Sequence, residues 1–72
     1  MNKERIIELI KKSKNKEIVL ICGSYFVYTN QKGDEIEVDI PKEERKIVWD
    51  LIHNDSTFNY IDHNMQTLVE LK

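Results

Sequence analysis

The stretch Glu17-Ile18-Val19-Leu20-Ile21-Cys22-Gly23-Ser24-Tyr25-Phe26-Val27-Tyr28-Thr29-Asn30 sets the architecture of this chain. After Glu17 the first run is continuously apolar to Cys22, which suits a strand at the centre of a sheet. Gly23-Ser24 reads as a two-residue hairpin turn, because glycine tolerates the positive φ that a type II′ turn demands. Tyr25 to Asn30 is aromatic and β-branched, as strands prefer. Moving outward, Gln31 to Asp34 forms the next turn, with Gly33 as its left-handed residue. Glu35 to Ile40 then alternates strictly: Ile36, Val38 and Ile40 face one side, and Glu35, Glu37 and Asp39 the other. The expectation is a three-stranded antiparallel meander.

On the N-terminal side, Ile6, Ile7, Leu9 and Ile10 form an apolar stripe at helical spacing. Asn2 is a suitable cap for that helix. Lys11, Lys12 and Lys14 sit near its end, where cations suit the dipole. On the C-terminal side, Pro41 fits the first turn of a second helix. Ile47, Val48, Leu51 and Ile52 form its expected buried stripe, with Trp49 half exposed at the flank. The last segment, Asp55 to Lys72, reads two ways. Phe58, Ile61, Met65 and Leu68 fit a third helix, whereas Thr57, Asn59, Asn64 and Thr67 are poor helix formers. The preferred expectation is an α+β fold ending in a C-terminal helix. The alternative is a strand pair turning at His63-Asn64.

With 72 residues the chain is one domain, residues 1–72, and its single small core leaves no room for a deep substrate cavity. Charged residues make up 33% and hydrophobic residues 40%, the balance of a folded, soluble domain. No apolar run is long enough to span a bilayer, and the N-terminus does not read as a signal peptide. The expected location is cytoplasmic. Cys22 is the only cysteine, so no internal disulfide forms; as the end of an apolar run it is expected to be buried. Net charge is −2 but unevenly spread. Residues 1–16 hold six Lys/Arg against two Glu, and residues 34–62 hold nine Asp/Glu against Lys42, Arg45 and Lys46. The acidic part opposes direct nucleic-acid binding and favours a partner with a basic surface.

No constellation points to catalysis. His53 and His63 lack the convergent ligands of a zinc site. Asp62-His63 lacks a third orienting group. Gly23 and Gly33 are isolated and form no phosphate loop. The reading is a non-enzyme without metal or cofactor. The most distinctive feature is the row Asp34, Glu35, Glu37 and Asp39. Side chains at i and i+2 of a strand stand about 6.6–6.8 Å apart, so this row concentrates negative charge. Three readings are open: a merely solvated face, a guard on a sheet edge, or a strip that engages Lys and Arg on a partner.

The order helix, meander, helix, polar C-terminal segment, with Asn30-Gln31-Lys32-Gly33-Asp34-Glu35 and Asn64-Met65-Gln66-Thr67, resembles a family of small phage anti-CRISPR proteins. The resemblance implies an inhibitor of the single-subunit, type II RNA-guided Cas nuclease. It would work as an acidic DNA mimic, in the groove where arginines read the short motif beside the target. It further implies contacts from the turn Gly33, Asp34 and Glu35, and from a last helix around Asp62 and Met65-Gln66-Thr67. Glu37 and Asp39 extend the acidic strip. Lys32, and a stretch 55–63 with only Asp55 and Asp62, depart from the family's acidity. A phage-encoded chain would act in the host bacterial cytoplasm. The rival expectation is a small self-associating bacterial or mobile-element regulator using Trp49, Tyr25 and Tyr28. The sequence does not fix the oligomeric state.

Overall fold

The computed structural model describes residues 1–72. It begins with helix α1 (Lys3–Lys12), followed by strands β1 (Glu17–Ile21), β2 (Tyr25–Thr29) and β3 (Glu35–Asp39). A short 3₁₀ turn (Lys42–Glu44) leads into helix α2 (Arg45–Asn54), and the chain closes with strands β4 (Phe58–His63) and β5 (Gln66–Leu71). The five strands form one antiparallel sheet in the order β3-β2-β1-β5-β4.

Local chemistry explains each element. Asn2 caps α1: its Oδ1 accepts the Arg5 backbone N–H at 3.0 Å, satisfying one of the helix's orphan donors. Ile6, Leu9 and Ile10 are buried on one face of α1, as their spacing requires. The turn between β2 and β3 is organised by Asn30, whose Oδ1 accepts the Lys32 and Asp34 N–H groups at 3.0 and 2.9 Å. Gly33 there has φ +90°, a conformation that side chains disfavour. Ile40 is buried just after β3 and donates its N–H to the Ser24 carbonyl at 3.0 Å. Its own carbonyl accepts from Arg45 Nε at 3.0 Å. These bonds fix the path from β3 into α2.

Three expectations are corrected. The C-terminal segment is a β-hairpin, not a helix, so the sheet has five strands rather than three. The strand pair turning at His63-Asn64 is the arrangement that forms. The helical stripe Phe58, Ile61, Met65, Leu68 fails because Ile61 and Met65 are 65% and 68% exposed. Burial instead alternates through Thr67 and Val69, with His63 paired to Gln66 across Asn64-Met65. Asn64 supplies the turn's positive φ of +56°, which asparagine tolerates better than most residues. Second, Cys22 is not a buried strand residue. It stands in the first turn with φ +52° and is exposed, since Ile21 pairs with Tyr25 across a three-residue loop. Third, the buried stripe of α2 is narrower than expected. Val48 and Ile52 are buried but Ile47 is 61% exposed.

Both helices lie on one side of the sheet. The core joins Ile6, Leu9 and Ile10 of α1 and Val48 and Ile52 of α2 to Ile18, Leu20, Phe26, Phe58 and Val69 of the strands. In each strand the residues between these point the other way. Val69→Ala is expected to cost about 2 kcal/mol, whereas Ile61→Ala should change stability by less than about 0.5 kcal/mol. Urea unfolding of the two variants checks this; a C-terminal helix with Ile61 in the core would give a large loss for Ile61→Ala.

Candidate acidic binding surface

Strand β3 is an edge strand, bonded only to β2. Its alternation sends Ile36 and Val38 toward the helix side and leaves Glu35, Glu37 and Asp39 exposed together on the opposite face. The ion pairs of the molecule are Met1 amino–Glu44, Lys3–Asp55, Arg5–Glu8, Lys12–Glu8 and Lys46–Asp50, and His53 lies against Asp62. None of them neutralises Glu35, Glu37 or Asp39. Like charges on adjacent same-face positions repel, and acidic residues are poor strand formers. The row therefore costs the fold something that no internal cation offsets.

The other expected contact residues are placed differently. Gly33 and Asp34 lie in the exposed turn before β3. Asp34 lines an open cleft with Lys11, Lys12 and Lys32, so its surroundings are basic. Asp62 lies on β4, at the far edge of the sheet from β3. That is four strand spacings, about 19 Å away. It is paired with Thr67 in the β4–β5 register, which puts it on the helix side. The geometry brings Glu35, Glu37 and Asp39 together and leaves Asp62 apart. The last helix expected from the resemblance is absent, so Met65-Gln66-Thr67 belongs to a hairpin.

Asp62 instead belongs to a cluster that its sequence neighbour His63 concealed. Its partner is His53, nine positions earlier, at the end of α2. His53 Nε2 lies 3.1 Å from Asp62 Oδ2, and Nδ1 lies 2.8 Å from the Trp49 carbonyl oxygen. The ring is stacked on Trp49 with centroids 4.1 Å apart and tilted against Tyr60 at 4.3 Å. Both ring nitrogens face oxygen atoms, the Trp49 carbonyl on one side and the Asp62 carboxylate on the other. The Thr67 hydroxyl donates to Asp62 Oδ1 at 2.5 Å. That bond, followed by the contact with His53, holds the Asp62 carboxyl below its usual range. Thr67 donates to Asp62 rather than to His53, so no activated nucleophile results. The cluster ties α2 to the C-terminal hairpin. Helical spacing of Trp49 and His53, one turn apart, was the only sequence signal for it.

No three His, Cys, Asp or Glu side chains converge to hold a metal ion. The surface carries shallow open clefts, one of about 250 Å³ lined by Cys22, Gly23, Trp49, Asn64 and Met65. No helix is long and apolar enough to cross a membrane. No protein-family model matches the chain, and no curated protein or solved structure matches it either.

Two depressed carboxyls give a testable pH dependence. Asp55 is lowered from 3.8 to about 2, chiefly by the hydroxyl and backbone N–H of Thr57 and then by Lys3. Asp62 is also lowered. Each folded-state value lies below the unfolded one, so each contributes stability above about pH 4. That stability is lost as pH falls through the depressed value. Thermal unfolding between pH 2 and 5 should show a smaller acid loss for Asp55→Asn than for the parent. In Thr67→Val, the Asp62 carboxyl should titrate at higher pH, followed by its carboxyl carbon shift.

Proposed function

We propose that the protein acts by binding, without catalysis, and that it presents its acidic β3 edge to a basic groove on a partner protein. Following the resemblance, the partner is a type II RNA-guided Cas nuclease, and the consequence of binding is a block on target DNA recognition in the bacterial cytoplasm. The supporting observation is the row Glu35, Glu37 and Asp39, exposed on one face and neutralised by no cation of the chain. Carboxylates so arranged suit bidentate pairing with arginine, the residue such a groove uses to read guanine. The exposed turn Gly33-Asp34 sits at the start of this row. The exposed charge of the row would steer fast association that weakens with salt.

Self-association is the second reading. It is favoured by the exposed Ile47, Trp49 and Met65. Tyr25 and Tyr28 do not share a face: Tyr28 packs against the core, while Tyr25 pairs with Asp39 and faces away from the helices. Light scattering separates the readings, since a stable dimer burying Trp49 supports self-association.

The primary test is DNA cleavage by purified type II nucleases loaded with guide RNA, from several bacteria. Excess protein should suppress cleavage by at least one nuclease. The double variant Glu37→Lys, Asp39→Lys should weaken that inhibition by more than about 100-fold, the scale expected when buried charge pairs are reversed. Full cleavage at saturating protein with every nuclease would sink the nuclease reading.

A further inference from the structure

The sheet side facing away from the helices is apolar at its centre and acidic along β3 and on the flank of Glu17 and Glu70, while its remaining border positions carry Gln66, His63 and Asn59. Val27 of β2, Val19 of β1, Leu68 of β5 and Ile61 of β4 are successive cross-strand partners. They form one apolar row across four strands. Tyr25 and Ile21, also partners, lie beside it. None of these residues belongs to the core cluster or to the side chains packed around it. Both helices contribute their buried residues to the other face, so no element of residues 1–72 covers the row.

The charge around the row has a single sign. Glu37 continues it beyond Val27, and Asp39 lies beyond Tyr25. Glu17 and Glu70 are directly opposed across β1 and β5, an arrangement of like charges that destabilises a strand pair. No Lys or Arg occupies a strand position on this face. Val19, Val27 and Leu68 are half-buried by their neighbours and Ile61 is 65% exposed. A partly open apolar row bordered by uncompensated carboxylates complements a surface that is apolar in the middle and basic beside it.

We propose that this face is a docking surface for an amphipathic helix of the partner protein, with an apolar stripe flanked by Lys and Arg. This rests on the reading that the protein works by binding through this side of the sheet, and it names what the partner supplies. The spacings agree. Neighbouring strands stand about 4.8 Å apart, and apolar residues three or four positions apart on a helix are separated by about 4.5–6 Å of rise. A helix laid across the strands therefore sets i, i+3, i+7 and i+10 near Val27, Val19, Leu68 and Ile61. A second copy is the poorer occupant, because a two-fold contact through this face sets carboxylates against carboxylates. Nucleic acid is repelled by the same margin.

The probe is a synthetic peptide of about 15 residues built from Leu and Lys, with leucines at i, i+3, i+7 and i+10. Its control has the same composition, scrambled so that the leucines share no helix face. Binding to the full chain is followed by amide chemical shifts. The amphipathic peptide should shift the amides of Val19, Val27, Ile61 and Leu68, and bind at least about ten-fold more tightly than the control, the scale of one hot-spot contact. Ile61→Lys should weaken binding about ten-fold by the same measure. Val27→Thr, the gentler change, should weaken it less and keep the unfolding midpoint of the parent. Equal binding of both peptides, or shifts confined to α2, would overturn the proposal. So would a dimer in light scattering that protects these amides from exchange. Retained helix-selective binding alongside full nuclease cleavage would sink the nuclease reading and leave this one standing.

Discussion

Two ten-residue helices can cover only one face of a five-stranded sheet, and that inequality governs the molecule. Strand β1 is the pivot. It pairs with β2 on one side and β5 on the other, and its Ile18 and Leu20 are fully buried beneath the helices. A chain of 72 residues has one such core to build, and it commits α1, α2 and one residue in two of each strand to that side. Everything on the reverse face is left to solvent or to another molecule. The acidic row and the apolar row are thus products of the same economy of helices.

The elements as far as α2 were legible because local signals agreed with global need, whereas the five-stranded sheet was not. The stripe of α1, the cap Asn2, the turn glycine Gly33 and the alternation of Glu35 to Ile40 each point to one conformation. The C-terminal segment was not legible in the same way, because Phe58, Ile61, Met65 and Leu68 happen to fall at helical spacing. What decides against a helix is non-local. Strand β1 needs a second neighbour, and Thr67 and Val69 of β5 lie opposite its Leu20 and Ile18. Pairing partners distant in sequence override weak local preference. The same reason explains Cys22. An apolar run looks like strand to its end, yet the loop must start somewhere, and here it starts on the cysteine.

The candidate surface divides along the same line. Glu35, Glu37 and Asp39 were readable as a set, since strand alternation alone puts them on one face. Asp62 could not be placed without knowing that α2 and β4 pack together. Its true neighbours, His53 and Thr67, lie nine and five positions away on different elements. Nor could the apolar row be foreseen, because Val19, Val27, Leu68 and Ile61 come from four strands and align only once the register is known.

The stack of Trp49 on His53 has one further consequence. The chain holds a single tryptophan, and it sits against an imidazole whose other contacts are the carboxylate of Asp62 and the ring of Tyr60. Its emission is therefore an internal optical gauge of one joint. It registers whether the last hairpin is seated on the second helix, and it does so without any label being attached.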